Sequence, residues 1–363
     1  MSHCILTLHT RGFRNLAPLE LPLGAHFNVL SGENGQGKSN VLEAIHYAVT
    51  LASFRGAAID DLIQTGEPGA FLGLTLRAAP LPRQLEVRLD REAPRSARLD
   101  GKRPRSTQVW RHVVPAVLFH PGDLQLAQGG PDGRRRLLDD VLSELDGAYA
   151  HALATYVKAL RSRNRLLKQE PLVRRAVQAF DPILAASGAQ LGQARTRLVE
   201  ELAPIATRVF DELFDGEIPV EVAFSPRVQP TEEALLRAYE ASLEKDLLRG
   251  FTAEGPHADD VTLRVKERTA KHHASQGQQR SLVLALKLAE LEVLALHSGK
   301  VPIFLLDDVT SELDATRNRR LFHILSRMGG QVFLTTTRAS LIELHEQRVD
   351  FEVKSGRVLV LPA

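Results

Sequence analysis

Two candidate phosphate-binding segments, more than 200 residues apart, constrain this chain most strongly. The first, Gly32-Glu33-Asn34-Gly35-Gln36-Gly37-Lys38-Ser39, is a complete G-x-x-x-x-G-K-S loop. The second, at 274–280, reads ASQGQQR and precedes the aspartate pair Asp307-Asp308. A P-loop alone predicts a nucleotide site. The combination predicts that two copies of the chain hold ATP between them.

Length and composition predict an ordinary globular protein with more than one subdomain. The chain has 363 residues, of which 44% are hydrophobic and 25% are charged. No apolar run reaches the ~20 residues of a membrane-spanning helix. Residues 1–7 lack a basic segment followed by a long apolar one, so we expect no signal peptide, no membrane association and a cytoplasmic location. Cys4 is the single cysteine, which excludes an intramolecular disulfide and a cysteine-based zinc cluster.

The net charge is only +2, but positive charge is concentrated in two segments. Residues 81–111 contain nine Lys/Arg and four acidic residues, and residues 158–175 contain seven Lys/Arg and one acidic residue. Such segments suit a polyanion, and they are equally typical of a solvated basic surface. The sequence leaves both interpretations open.

Hydrophobic patterns give the P-loop its expected context. Phe27–Leu30 is an apolar run that predicts a strand before the loop, and helical spacing begins after Ser39. Residues 71–105 alternate in polarity around Asp100-Gly101, which predicts antiparallel hairpins. Further on, the sequence predicts a buried helix at 281–297, strands at 301–306 and 331–334, and a final hairpin at 349–361 across Ser355-Gly356.

The middle of the chain reads as helices. Helical spacing marks four segments, Arg134–Tyr149, His151–Lys168, Val173–Leu198 and Thr231–Leu248, with expected breaks at Pro171, Pro204, Pro219 and Pro226. No heptad pattern is long enough for an extended coiled coil. We therefore expect an α/β core formed by residues 1–121 with 251–363, interrupted by a mainly helical lobe at 122–250.

The motif residues are of the types that ATP chemistry uses. Glycines let the loop backbone approach phosphate, Lys38 supplies a positive charge to the β- and γ-phosphates, and Ser39 offers a hydroxyl to Mg²⁺. Asp307 ends an apolar run and could hold a Mg²⁺-bound water, while Asp308 could orient or deprotonate the attacking water. The alternative is that an aspartate here only caps a strand–helix turn.

Three other groups have two interpretations each. Ser275-Gln276-Gly277 could bind a γ-phosphate at the positive end of the following helix, or serve only as its N-cap. His257, Asp259 and Asp260 could ligate a metal, although a turn with an aspartate cap before a strand is favoured. Arg134-Arg135-Arg136 could contact phosphate or simply cover a helix surface.

Taken in order and spacing, these motifs resemble the ABC-type ATPases. Gly32–Ser39 matches Walker A, Ser275–Gln278 the signature motif, Leu305–Asp308 Walker B, and Ser311–Asp314 the D-loop. Across essentially the whole chain the sequence resembles, more narrowly, the RecF family of bacterial recombination mediators, related to SMC and Rad50 heads. The segments that carry this narrower resemblance are Phe13–Leu16, Ser53–Gly56, Phe119–Leu138, Thr252–Asp260 and Leu306–Asp314.

The resemblance implies an ABC-type ATPase head with a P-loop core, a flanking antiparallel sheet and an inserted helical lobe. It implies a weak, DNA-stimulated ATPase that forms an ATP-linked homodimer on duplex or gapped DNA. Slow hydrolysis would release the DNA, and a RecR-type mediator would be a partner in recombinase loading. The corresponding processes are DNA recombination, replication and repair and the SOS response. An ABC transporter subunit, an SMC-type structural head and a small-molecule kinase are the alternatives.

The resemblance also implies functional residues. The implied catalytic residues are Lys38, Asp308 and Thr337, and the implied Mg²⁺ ligands are Ser39 and Asp307. Nucleotide binding falls to Gly32, Glu33, Asn34, Gly35, Gln36, Gly37, Lys38, Ser39, Asn40, Ser275, Gly277, Gln278 and Asp314.

The sequence departs at two positions from the motifs of the families that it resembles, and the Q-loop glutamine has three candidates. The RecF family usually has Arg where this chain has Ala258, and ABC transporters place His where Thr337 or a neighbour stands. The Q-loop glutamine is Gln108, Gln125 or Gln128.

Overall fold

The computed structural model describes residues 4–77, 81–171, 173–214, 218–309, 313–344 and 347–362, with the side chains of Gln108 and Leu341 left out. The chain divides into two units. The first consists of Met1–Asp123, Glu212–Phe214 and Glu290–Ala363, and the second of Leu124–Asp211 and Asp215–Ala289. Segment 251–289, which the sequence assigns to the ATPase head, belongs to the second unit, and the predicted division into head and lobe stays a prediction.

The strands are β1 (Cys4–Arg11), β2 (Leu19–Pro22), β3 (Phe27–Ser31), β4 (Gly69–Arg77), β5 (Arg83–Asp90), β6 (Ser96–Leu99), β7 (Ala116–Phe119), β8 (Val220–Ser225), β9 (Asp260–Val265), β10 (Arg268–Thr269), β11 (Ile303–Leu306), β12 (Val332–Thr336), β13 (Arg348–Lys354) and β14 (Arg357–Val360). The α-helices are α1 (Lys38–Thr50), α2 (Ile59–Leu62), α3 (Thr107–Arg111), α4 (Gln125–Gln128), α5 (Pro131–Leu145), α6 (Gly147–Leu166), α7 (Arg174–Gln178), α8 (Asp181–Phe214), α9 (Glu232–Arg249), α10 (Ala270–His273), α11 (Gln276–Ser298) and α12 (Ala315–Met328). Short 3-10 turns occur at Pro121–Leu124, Pro256–Ala258 and Ala339–Leu341.

Two sheets form the framework of the first unit. One is antiparallel, in the order β2-β1-β4-β5-β6, and the other has the order β14-β13-β3-β12-β11-β7. Strands β13, β3, β12, β11 and β7 of the second sheet are parallel, and β14 joins its edge antiparallel to β13. The predicted P-loop strand and flanking antiparallel sheet are therefore both confirmed.

Helix α1, which follows the P-loop, is buried on both sides. It contacts β4 and β5 of the antiparallel sheet and β7 and β12 of the parallel sheet. Its apolar residues Val41, Leu42, Ala44, Ile45 and Ala48 are completely shielded from solvent and belong to a large hydrophobic core cluster. Because apolar burial is the main favourable contribution to folding, this core fixes the start of α1 and with it the end of the P-loop.

Two predicted hairpin turns have the backbone that their sequences require. Asp100 and Gly101 have φ values of 50° and 76°, and Ser355 and Gly356 have values of 49° and 75°. Positive φ at both central residues is the type I′ condition, which matches the twist of the flanking strands. The turn predicted at Asp100-Gly101 is present, since Leu99 pairs with Lys102 across it, and the hairpin predicted across Ser355-Gly356 is present as β13–β14.

The second unit is mainly helical, with a small antiparallel sheet in the order β10-β9-β8. The predicted helix over Val173–Leu198 is wrong in its extent, since the chain forms α7, a break and then the 34-residue helix α8. Pro204 was expected to end a helix but lies inside α8. Leu202 and Ala206 on either side of it are buried, and this packing outweighs the ~3 kcal/mol cost of an internal proline.

A buried arginine ties three segments of the second unit together. Arg163 on α6 has no solvent exposure, and its Nε donates to Asp181 Oδ1 at 2.9 Å. One terminal nitrogen donates to Asp246 Oδ2 at 2.7 Å and to Thr252 Oγ1 at 2.8 Å. Burial raises the pKa of Asp181, and the neighbouring Arg163 charge opposes that rise. The sequence counted Arg163 in a surface basic patch, which the structure corrects.

No helix in the described part of the chain is both long enough and apolar enough to span a membrane.

We predict that Arg163→Met destabilises the protein by about 3–5 kcal/mol, because it leaves two buried carboxylates without their cation. Urea denaturation followed by circular dichroism measures this loss. The matched control is Arg165→Met on the exposed side of the same helix, which should change stability by less than about 0.5 kcal/mol. Equal losses in the two variants would contradict the structural role of Arg163.

Candidate functional site

The order of strands in the parallel sheet brings the separated motifs together. Strand β12 lies between β3, which leads into the P-loop, and β11, which ends before Asp307. Leu334 of β12 is level with Leu306, and Thr335 is level with Leu30. Because parallel strands have their carboxyl ends at one edge, the P-loop, the aspartate pair and the end of β12 meet there.

Asp307 is the centre of the hydrogen bonds at this edge. Its Oδ1 accepts from Ser39 Oγ at 2.7 Å and from Thr335 Oγ1 at 2.8 Å. The backbone N–H of Asp308 donates to Thr335 Oγ1 at 2.8 Å. Asp308 has a φ of 54°, an uncommon value for a residue with a side chain. Thr335 therefore fixes both aspartates, one through its carboxylate and the other through its backbone.

Thr335 was not among the predicted site residues. The sequence prediction ended the strand at Leu334, although the structure extends it to Thr336. Thr337, the predicted catalytic residue, follows the strand and is exposed, and no hydrogen bond joins it to Asp307 among the described residues. Its role stays a prediction. The run of threonines at the carboxyl end of an apolar strand was a sequence signal for a site residue. To choose Thr335 among them, one must know that β12 lies next to the strand that ends before Asp307.

Lys38 lies inside the loop that it belongs to. Its side chain is largely buried, and Nζ donates to Gly32 O at 2.7 Å and Glu33 O at 2.8 Å. Burial lowers the pKa of Lys38, while the charges of Asp308 and Asp307 act in the opposite direction. The lysine charge is thus held between the loop carbonyls and the aspartate pair.

The P-loop backbone is supported from behind by the chain around the β13–β14 turn. Gly32 has a φ of 152°, and a Cβ at this position would lie 2.3 Å from Val353 O, so only glycine fits. Gln36 Oε1 accepts from the N–H of Ser355 at 2.6 Å, and Gln36 O accepts from the N–H of Gly356 at 2.9 Å. A Cβ at Gly35, by contrast, would meet nothing within 4 Å. The loop is fixed on one side and open at its tip.

Two other sequence motifs meet on α1 beside the P-loop. Glu43 is completely buried and accepts from Arg14 Nε at 2.9 Å and from Ser53 Oγ at 2.6 Å. Arg55 donates to Glu43 at 3.3 Å and to Asn40 Oδ1 at 2.7 Å. The Phe13–Leu16 and Ser53–Gly56 segments therefore hold α1 at the residues next to Lys38 and Ser39.

The signature segment starts helix α11 and belongs to the second unit. The N–H of Gln278 donates to Ser275 Oγ at 3.3 Å, and the N–H of Ser275 donates to Gln278 Oε1 at 2.8 Å. This reciprocal arrangement is a capping box. Ser275 is exposed, and Gly277 is partly exposed. Ser275 therefore caps helix α11, as one of its two interpretations predicts. The exposed N-terminus of the helix still has unpaired N–H groups that can bind an anion.

The other predicted residues lie in varied settings. Asp314 caps α12 by accepting from the N–H of Arg317 at 2.9 Å, and Asn34 lies at the exposed tip of the P-loop. Gln128 donates to Gln279 Oε1 at 2.8 Å within the second unit. Gln125 is exposed, and the Gln108 side chain is outside the described set. Ser311 and Glu312 of the predicted D-loop also lie outside the described residues.

The segment Gly255-Pro256-His257 is structural. His257 Nε2 is 2.9 Å from Thr252 O, so it donates, and His257 Nδ1 then accepts from Tyr156 OH at 2.7 Å. Both ring nitrogens have protein partners, and burial lowers the pKa of His257. A Cβ at Gly255 would lie 2.6 Å from Tyr156 OH and 2.7 Å from Tyr239 OH. No metal-type cluster of His, Cys, Asp or Glu occurs among the described residues.

The arginines and aspartates around this segment pair with one another. Arg134 forms a two-bond pair with Asp260, at 2.7 and 3.0 Å, and Arg135 donates to Asp259 O at 2.5 Å. Asp260 Oδ1 also accepts from the N–H of Val261 at 2.7 Å, at the start of β9. These contacts match the favoured turn-and-cap interpretation, and they give Arg134 and Arg135 partners within the protein.

The residues at the sheet edge fit a nucleoside triphosphate with a divalent cation. The loop tip is open, α1 begins with free N–H groups, and Lys38 supplies a cation. Ser39 and Asp307 present a hydroxyl and a carboxylate 2.7 Å apart, and Mg²⁺ prefers oxygen ligands of this kind. The arrangement can therefore bind the phosphates and place Asp308 beside them.

Comparisons with known proteins point to one family. A family model described as "RecF/RecN/SMC N terminal domain" matches residues 4–73. The chain is 37% identical over 369 residues to the "DNA replication and repair protein RecF" of Myxococcus xanthus, covering 98% of this chain and 97% of that one. It is 41% identical over 352 residues to the protein of the same name from Anaeromyxobacter sp. strain Fw109-5, an alignment that covers 93% of this chain and 94% of that one.

Solved structures agree with these relatives. A structure titled "Structure of the recombination mediator protein RecF-ATP in RecFOR pathway" is 30% identical, with a TM-score of 0.89, covering 99% of this chain and 98% of that chain. The Smc head domain of Pyrococcus furiosus, bound to a ScpA domain, is 16% identical with a TM-score of 0.60 over 99% of this chain and 96% of its own, and shows the fold alone. The chain therefore belongs to the RecF family of DNA replication and repair proteins.

Proposed function

We propose that this protein is an ATP-dependent DNA clamp of recombinational repair. The supporting observation is the set of hydrogen bonds that joins Ser39, Asp307 and Thr335 at the mouth of the P-loop. A RecF relative has been solved with ATP, and its title places it in the RecFOR pathway. By extension, the partners of this chain are a RecR-type mediator and duplex or gapped DNA. The protein acts in the cytoplasm, where it assists the loading of a recombinase.

Each site residue then has a defined task. Gly32 to Gly37 surround the phosphates with backbone N–H groups, and Lys38 holds the β- and γ-phosphates. Ser39 and Asp307 hold Mg²⁺, which when bound supplies a positive charge that polarises the phosphate oxygens. Asp308 orients or deprotonates the attacking water, and Thr335 keeps both aspartates in place. Hydrolysis is slow and stimulated by DNA.

The homodimer completes the site. Ser275 and Gly277 at the exposed start of α11 cover the γ-phosphate bound by the other copy, with Gln278 and Asp314 close to the same nucleotide. Two equivalent contacts give a closed two-fold dimer with two ATP molecules. Residues 1–121 and 251–363 act as the ATPase head, and residues 122–250 act as the inserted lobe. Loss of the γ-phosphate removes the contact and releases the dimer from DNA.

The proposal predicts that ATP tightens binding to duplex DNA. Fluorescence anisotropy of a labelled duplex, titrated with protein at fixed salt, measures this in ATP, in ADP and without nucleotide. We expect clearly tighter binding in ATP, because only the γ-phosphate links two copies. Equal affinity in the three conditions would refute the clamp.

A second prediction concerns the signature segment. Ser275→Arg should retain ATP binding but prevent the increase in mass on adding ATP, measured by light scattering, because the long cation blocks the approach of the second copy. The control is Ser298→Arg at the other end of α11, where a cation is favourable and dimerisation should persist. If Ser275→Arg loses nucleotide affinity instead, Ser275 belongs to the pocket of its own copy.

A third prediction concerns Thr335. Thr335→Val keeps the shape but removes the hydroxyl, so we expect ATP turnover to fall roughly 10–100-fold and the Mg²⁺ requirement to rise, with ATP affinity little changed. Thr335→Ser restores the hydroxyl and should restore most of the turnover. A valine variant with the turnover and Mg²⁺ dependence of the unaltered protein would exclude a positioning role for Thr335.

A further inference from the structure

Helix α6 has two opposite faces of different chemistry. Its buried face consists of five residues at steps of three and four, Tyr149, Ala152, Tyr156, Ala159 and Arg163. Its opposite face carries the basic stripe, which we define as Lys158, Arg161, Arg165 and Lys168, the last just beyond the helix end. At about 100° per residue, the stripe covers an arc of about 80°, centred about 180° from the buried face.

The positive charge of the basic stripe is not neutralised locally. All four side chains are exposed, and no ion pair or hydrogen bond joins any of them to another described residue. Residues 147–169 contain no aspartate or glutamate. Arg174, from the same basic segment of the sequence, differs because it pairs with Glu244. The basic stripe is thus a row of four free cations.

The other basic segment, residues 81–111, is mixed in charge. Arg83 pairs with Asp100 at 2.5 Å, and Arg98 lies opposite Glu86 in the β5–β6 register. Arg95 donates to Tyr47 OH at 3.1 Å. Interleaved carboxylates reduce the field of this surface, so it attracts a polyanion less strongly than the basic stripe does.

The helix that carries the basic stripe is held in a fixed rotation. Arg163 is anchored to Asp181 and Asp246, and Tyr156 OH is 2.7 Å from His257 Nδ1. Asn164 Oδ1 accepts from the N–H of Thr252 at 2.8 Å. The cations are therefore presented from a rigid frame, and little ordering of the backbone is needed when a ligand binds.

We propose that the basic stripe of α6 is the surface that binds the phosphate backbone of duplex DNA. This inference rests on the proposed function and assigns the DNA contact to specific residues. The basic stripe is about 15 Å long, a length of duplex that carries about four phosphates per strand. Lysine and arginine side chains suit contacts to phosphate, which carry no sequence information directly, so the binding has little sequence preference.

The test compares two variants of the full chain that lose the same charge. The stripe variant is K158Q/R161Q/R165Q/K168Q, and the control is R98Q/K102Q/R103Q/R105Q, four exposed positions of the mixed segment. Anisotropy of a labelled duplex is measured in ATP over a series of salt concentrations. We expect the stripe variant to bind at least ~10-fold more weakly, with a salt slope smaller by about three to four per protomer, and the control to stay close to unaltered protein.

The possible outcomes separate this inference from the clamp itself. If the stripe variant keeps the DNA affinity and salt slope of the unaltered protein, the inference is wrong, and the stripe instead binds an acidic surface of a protein partner. Equal losses in both variants would also overturn it, because general charge would then explain the binding. If the unaltered protein fails to bind duplex in ATP, the clamp proposal fails first and the inference falls with it. The pair R161Q/R165Q, with an expected intermediate loss, serves if the fourfold variant does not fold.

Discussion

The carboxylate of Asp307 is the point on which the arrangement of the ATP site depends. One of its oxygens accepts hydrogen bonds from two hydroxyls that are 296 positions apart in sequence, Ser39 and Thr335. Both bonds are possible because β12 lies between the P-loop strand and the strand before Asp307. A different strand order would leave the same motifs intact in sequence and separate them in space. The site is therefore a property of the sheet, and the loop alone does not define it.

The second unit is organised by buried charge as well as by apolar packing. Arg195 is almost completely buried, and it bonds to Asp139, to Pro256 O and to Asp259. A buried ion pair contributes little net stability, yet removal of one partner is costly because the other charge stays in the interior. Such networks define which residues must be neighbours. In this unit they place the segment around Pro256 against α8 and leave the outer face of α6 exposed.

The sequence predicts the local structure well and the long-range contacts poorly. Glycine pattern and apolar spacing were sufficient for the strand, loop and helix around Lys38, and paired turn residues were sufficient for two hairpins. The sequence prediction does not include strand β8. It places a helix break at Pro204, because an internal proline disfavours a helix and the buried neighbours that offset this cost cannot be identified from local sequence. Arg163 was counted as surface charge, since its partner Asp246 is 83 positions away. Thr335 was missed for the same reason, because its role depends on the order of strands.

The two-faced character of α6 has a consequence for how this protein can change in evolution. Inserting or deleting one residue near the middle of α6 would rotate everything beyond it by about 100° relative to the core. Arginines and lysines would then turn toward the interior, and apolar residues would turn toward water. For the stability of the fold, substitutions on the outer face cost little, whereas changes in helix length are costly. Relatives should therefore keep the number of residues in the helix, and those that bind DNA through this face should also keep its positive charge, with lysine and arginine exchanging for one another.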